Sequence, residues 1–262
     1  MKRSWQSSLR KIVILISSLA ILLSGCITSP GSPQATSPAG TAPAVTAPAP
    51  GQGAPGPLPD LKTKPTPKEI TFQGCPPEGD GGDPVLNRNK NRVDEASYYP
   101  VTFDAMIQLT WPKATERRDH NNWSAADAAA IAKYEGIPVE VEGYLAGVKQ
   151  SGPESCNCHG ADPQFEDWHI WLTKTAGEDR THSIVVETTP RVRANHPAWT
   201  LPAVEQLVKD QTHVRISGWT MFDPEHPDQI DKTRGTIWEI HPIMKIEVEK
   251  NGKWVSLDDL SK

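Results

Sequence analysis

Val139-Glu140-Val141-Glu142-Gly143-Tyr144-Leu145 alternates apolar and polar side chains with a period of two. A half-buried strand requires that spacing, because successive side chains point to opposite faces. Val139, Val141 and Leu145 share one face. Two shorter runs follow, residues 168–172 (Trp-His-Ile-Trp-Leu) and 183–187 (Ser-Ile-Val-Val-Glu), both rich in β-branched and aromatic residues. The period then changes. Residues 201–210 read as a helix, with Thr200 as its cap and Pro202 tolerated in the first turn. Residues 214–221 and 237–248 supply two further strands, and Pro242 in the second predicts a bulge or bend.

Upstream, Ser124 or Asn122 can cap a helix running to about Tyr134, and Gly136 ends it. Residues 72–94 are rich in Gly, Pro and Asn and read as an irregular wrapping segment. Its Asn87, Lys90, Asn91 and Arg92 are either a polar site or a loop tied down by its own hydrogen bonds. Three strands, a helix and two strands is the order of the OB-fold, and over roughly residues 137–248 the chain resembles OB-fold domains. Gly143 and Gly218 relieve the bending that a small barrel needs. The resemblance implies a mainly β protein with helices. An OB-fold-like five-stranded barrel would occupy 137–262, behind an N-terminal helix and wrapping segment at 68–136. A split αβ sandwich is the competing arrangement.

The N-terminus has a different chemistry. Lys2, Arg3, Arg10 and Lys11 precede an apolar run over 12–23, followed by Leu23-Ser24-Gly25-Cys26. A basic start, a short apolar stretch and small residues form a secretory signal. The last four residues resemble the lipobox of bacterial lipoproteins. The resemblance implies that residues 1–25 are removed and that Cys26 is acylated, which anchors the chain to the lipid bilayer. Ile27 is not the Asp that retains some lipoproteins at the inner membrane, so an extracytoplasmic place on the outer membrane or cell surface is expected. Residues 26–67 carry the acylated Cys and then a tether, with eleven prolines between 27 and 67. Such a stretch cannot bury enough apolar surface to offset its ordering entropy. No Phe, Trp or Tyr occurs between Trp5 and Phe72, which places the globular part beyond the tether.

Charge narrows the class of partner. Of 27 basic and 32 acidic residues, the first 67 positions hold six and one, leaving 21 against 31 in the remainder. A folded part near −10 argues against bulk electrostatic binding of nucleic acid. Mean hydropathy is −0.50, and the only long apolar run is N-terminal, against an integral membrane protein. No Gly-x-Ser-x-Gly elbow, phosphate-cradling loop, His-Glu-x-x-His or dinucleotide fingerprint is present.

Three clusters carry chemistry. Cys156-Asn157-Cys158-His159 offers zinc-type ligands, with Cys75 able to complete a set of four. Alternatively, Cys75 forms a disulfide with Cys156 or Cys158. On the strands, alternation puts His169 opposite Trp168 and Ile170, and Glu239 and His241 opposite Trp238 and Ile240. Glu187 ends the third strand and Arg191 follows Pro190. If those strands are adjacent, His169, Glu187, Arg191, Glu239 and His241 converge as an acid/base or divalent-metal site, with Arg191 or Arg234 holding an anion. A hydrogen-bonded polar face is the bland alternative. Asp223-Pro224-Glu225-His226-Pro227-Asp228 is either a cation loop or a solvated hairpin tip. The tryptophans Trp111, Trp123, Trp199, Trp219 and Trp254 are expected mainly as packing.

Two functions follow as expectations. One is a membrane-anchored lipoprotein with an OB-fold-like domain that binds an unidentified envelope ligand or protein. The other is a metal-assisted, nuclease-like hydrolase using the His/Glu/Arg cluster, with a divalent metal as the candidate cofactor.

Overall fold

Strand pairing closes on itself in the computed structural model, which describes residues 51 and 53–260. The signal sequence, the lipobox and Cys26 lie outside the described residues. In chain order the elements are α1 (Pro84–Lys90), β1 (Tyr99–Pro100), α2 (Phe103–Ile107), α3 (Ala125–Ala132), β2 (Pro138–Gln150), β3 (Trp168–Thr173), β4 (Ile184–Thr188), α4 (Pro190–Arg193), α5 (Leu201–Lys209), β5 (His213–Phe222), β6 (Trp238–Lys250) and β7 (Lys253–Ser256). The order β2-β3-β4-β6-β5 returns to β2, so five strands form a barrel with the OB-fold-like connectivity. Every barrel pair is antiparallel except β4 with β6. Two short strands are added outside it, with β1 parallel to β2 and β7 on β6.

The alternation decides what fills the barrel. Val139, Val141 and Leu145 of β2 meet Ile170 and Leu172 of β3, Ile184 and Val186 of β4, and Ile240 and Ile246 of β6, all essentially buried. Burying each such side chain contributes about 1.5–3 kcal/mol. α5 lies between the third and fourth barrel strands in sequence and packs on β2, burying Val204 and Leu207. The Thr200 side chain accepts from Ala203 N at 3.2 Å, as the capping pattern predicts.

Closing a small barrel forces backbones together at two glycines. A Cβ at Gly143 would stand 2.4 Å from the Thr173 carbonyl oxygen, and one at Gly218 would stand 2.4 Å from that of Pro242. The β5–β6 register shifts on both sides of Gly218, which places the expected irregularity opposite Pro242.

The structure adds to and shifts the elements expected from the sequence, β1, α2 and α4 among them. The tether does not extend to Pro67. Gly56 pairs with Val101, and Leu58 and Leu61 pack on the core, because two leucines supply the apolar surface that the Ala/Pro stretch lacks. The wrapping segment contains a helix, α1, started by Asp83, whose side chain accepts from Val85 N at 3.0 Å and Leu86 N at 3.3 Å. The strand β7 was not foreseen. Among the described residues no helix is long and apolar enough to cross a membrane.

Candidate active site

β4 is the middle strand of the site. It pairs antiparallel with β3, setting Glu187 opposite His169, and parallel with β6, with Val185 opposite Glu239. Because side chains repeat every second residue, Glu187 falls in line with His241 on the same outer face. Sequence-distant histidines are thereby brought to either side of one carboxylate. His169 Nδ1 is 2.7 Å from Glu187 Oε1, and His241 Nδ1 is 3.7 Å from Glu187 Oε2.

The cluster extends in both directions. His241 Nδ1 is also 3.5 Å from Glu239 Oε2, and its Nε2 is 3.5 Å from Asp167 Oδ2. Arg234 NH1 donates to Glu239 Oε1 at 2.7 Å and to Asp223 Oδ2 at 2.8 Å, and His226 Nδ1 lies 2.8 Å from the same Asp223 oxygen. Asn157 Nδ2 donates to Asp167 Oδ1 at 2.8 Å. Asp167, Glu187, Asp223 and Glu239 are all buried, and Arg234 pairs with the last two. Lys90 lies close by but is paired with Glu154 at 2.9 Å.

Burial of this kind shifts titration. Burial alone would raise the Glu187 carboxyl, but His169 and His241 beside it hold it well below the usual carboxylate range. Burial alone would lower the His241 imidazole, and Asp167, Glu239 and Glu187 instead lift it to about 10. Asp223 would likewise be raised by burial and is held low by His226 and Arg234. Burial, followed by Asp167, pushes the Cys156 thiol well above its ordinary value.

Above this cluster opens a cleft of about 760 Å³. Its floor includes His169, Trp171, Glu187 and Glu239. One wall is the β2–β3 loop (151–167), another the β5–β6 loop (223–237), and α1 contributes Asn87 and Lys90. Exposed Lys149, Arg180 and Lys232 stand at its margin, Arg180 lying 4.6 Å over the Trp171 ring. A histidine oriented by a carboxylate at the floor of a cleft can exchange a proton with a bound molecule, and margin cations can hold an anion.

Four of the five strand residues expected to converge do so: His169, Glu187, Glu239 and His241. Arg191 does not. It lies in α4, buried, where NH1 donates to Asn91 Oδ1 at 2.8 Å and Asn157 Oδ1 at 3.0 Å, and NH2 to the carbonyls of Cys75 and Pro76. It ties the wrapping segment to the β2–β3 loop, and Arg234 takes the place beside the carboxylates. The metal set Cys156, Cys158 and His159 is also corrected. Cys158 is bonded to Cys75, Cys156 is a buried free thiol, and His159 is exposed with its Nε2 3.4 Å from Asp80 Oδ1. Asn87, Asn91 and Arg92 are structural, with Asn91 Nδ2 donating to the carbonyls of Pro77 and Cys156. The 223–228 loop divides, Asp223 entering the buried cluster while Glu225 and Asp228 stay exposed.

Asp167 was the residue missed. It directly precedes β3, two positions before His169, so the alternation carried one step back places it on the same face. No protein-family model matches the chain, and no curated protein or solved structure matches it.

Proposed function

We propose that the protein is a lipid-anchored extracytoplasmic hydrolase that cleaves a phosphoester in the cleft over β3, β4 and β6. The observation that carries the reading is the 2.7 Å contact of His169 with Glu187 at the cleft floor, with His241 and Glu239 converging behind it. Glu187 accepts the Nδ1 proton and fixes the tautomer, which leaves His169 Nε2 to take a proton from an attacking water. As the water oxygen bonds to phosphorus the ester P–O bond breaks, and the imidazolium, stabilised by the Glu187 carboxylate, returns its proton to the leaving oxygen. Lys149, Arg180 and Lys232 suit a phosphoryl group, whose charge they offset without entering the buried cluster. The basic start, apolar run and Cys26 supply the anchor.

The test is turnover of bis(p-nitrophenyl) phosphate and p-nitrophenyl phosphate by the full chain in detergent, beside p-nitrophenyl acetate and a p-nitrophenyl glycoside. Phosphoester cleavage lost in His169→Gln supports the assignment. Cleavage of the carboxyl ester or glycoside alone refutes the phosphoester class. A second reading, an OB-fold-like binding module without turnover, is favoured by the cleft's place between two loops on the β3–β4 face, where such barrels hold ligands. Saturable binding of a phosphodiester with no cleavage under any condition would select it.

A further inference from the structure

We propose that Asp167, Glu187 and His241 form a binding site for one divalent transition-metal ion, directly behind the cleft floor. The inference rests on the same cleft as the hydrolytic reading and assigns it a cofactor and a ligand set. One oxygen of each carboxylate and one ring nitrogen of His241 lie within 4.8 Å of one another. Neither His241 contact to these two residues, at 3.5 Å and 3.7 Å, is a hydrogen bond. The 3.5 Å contact is made by Nε2 and the 3.7 Å contact by Nδ1, so an ion within this 4.8 Å cluster would take one ring nitrogen and draw the farther carboxylate toward it.

The polar accounting points the same way. Both ring nitrogens of His241 and Oε2 of Glu187 are buried and have no hydrogen-bond partner among the described residues. Such groups are costly unless something satisfies them. Each carboxylate is half used by a second residue that orients it. Asn157 holds Oδ1 of Asp167, whose Oδ2 has the long 3.9 Å contact donated by the Cys156 thiol, and His169 holds Oε1 of Glu187, leaving Oε2. Asp167, Glu187, Asp223 and Glu239 bring four buried carboxylates together, and an ion bound between two of them would offset their repulsion. One imidazole with two carboxylates selects Zn²⁺ or Mn²⁺ over Ca²⁺, and of the three ligands Glu187 is the one that also lines the cleft.

The experiment is metal binding by the full chain in detergent, using Zn²⁺ and Mn²⁺ alone, read by elemental analysis after dialysis and by titration calorimetry. About one ion per chain is expected, weakened at least about 100-fold in Asp167→Asn and Glu187→Gln and unchanged in Cys156→Ser and Glu225→Gln. No binding, or binding indifferent to Asp167 and Glu187, overturns the site and makes His241 an imidazolium held by its carboxylates. Loss in Cys156→Ser or Glu225→Gln overturns it in favour of a neighbouring cluster. Should the buried variants fail to fold, the Co²⁺ spectrum of the unaltered chain decides. A tetrahedral band without thiolate charge transfer supports the ligand set; a thiolate band or no band overturns it. Metal bound without phosphoester cleavage leaves the site standing and the hydrolase refuted. Cleavage that survives chelation does the reverse.

Discussion

His169 and Glu187 are direct cross-strand partners on the outer face of the barrel, joined at 2.7 Å between Nδ1 and Oε1. Neighbouring strands in a folded barrel are rigid, so this pair is held for proton exchange without any loop having to order first. Replacing Glu187 by Gln keeps the shape and removes the charge. Phosphoester turnover is expected to fall about 10²–10⁴-fold with a much smaller change in KM. A rise in KM at constant kcat would mean that the pair only binds.

Arg191→Gln separates the structural arginine from the site. Two asparagine oxygens and two carbonyls lose a buried charged donor, so stability should drop by about 3–5 kcal/mol in chemical denaturation. KM for the phosphodiester should stay within about twofold. A selective KM effect at unchanged stability would return Arg191 to the cleft.

His120 gives the fold a pH dependence. Its Nδ1 is 2.5 Å from Asp83 Oδ2, and although burial opposes the charge, Asp83 and Glu135 lift the imidazole from 6.5 to about 9. A raised histidine stabilises the fold fully below its unfolded value and loses that contribution as pH rises through its folded value. Stability should therefore decline between pH 6.5 and pH 9, on the order of 3 kcal/mol in total. In His120→Gln the slope over that interval should become shallower by about this amount, the rest belonging to His241 and His226, which are raised as well, as measured by urea midpoints at half-unit steps.

Thiol counting tests the anchor and the staple together. The chain has four cysteines, of which Cys75 and Cys158 are bonded and Cys156 is free. With Cys26 acylated, the denatured unreduced chain should react with one equivalent of a thiol reagent, and Cys26→Ser should leave the detergent phase. Two equivalents would mean an unmodified Cys26. Reduction opens a loop of sequence separation 83, which should cost about 4 kcal/mol and roughly 10 °C in Tm.

Gly218→Ala should be among the most damaging small changes in the barrel. The added methyl meets the Pro242 carbonyl at 2.4 Å, backbone that cannot turn aside. A loss of about 1–3 kcal/mol or more is expected in thermal melts, against under about 0.5 kcal/mol for the same change at exposed Gly152.

The barrel was legible because its signals are local. Alternation in 139–145, the cap at Thr200 and the change of period at 201–210 each depend on a few neighbouring residues, and together they define the strand order. Alternation also placed His169, Glu239 and His241 on the correct face. That β4 lies between β3 and β6 came from topology, which turned shared orientation into contact. Arg191 and α1 went wrong for one reason. Thr189-Pro190 and Asp83-Pro84 are each a capping residue followed by proline, the start of a helix, a signal that the strand periodicity around Glu187 and the Gly/Pro/Asn composition of 72–94 both mask. Asp167 escaped because it stands just outside the alternating strand.

The Cys75–Cys158 bond fastens the wrapping segment to the loop that forms one wall of the cleft, in the same place where Arg191 bridges Asn91, Asn157 and the Cys75 carbonyl. That wall can be completed only where thiols are oxidised. A chain still inside a reducing compartment would have its strands and core but a loosened wall beside Glu154 and Asp167. The bond thus acts as a latch set by the surroundings: one wall of the cleft is finished only after two thiols have been oxidised.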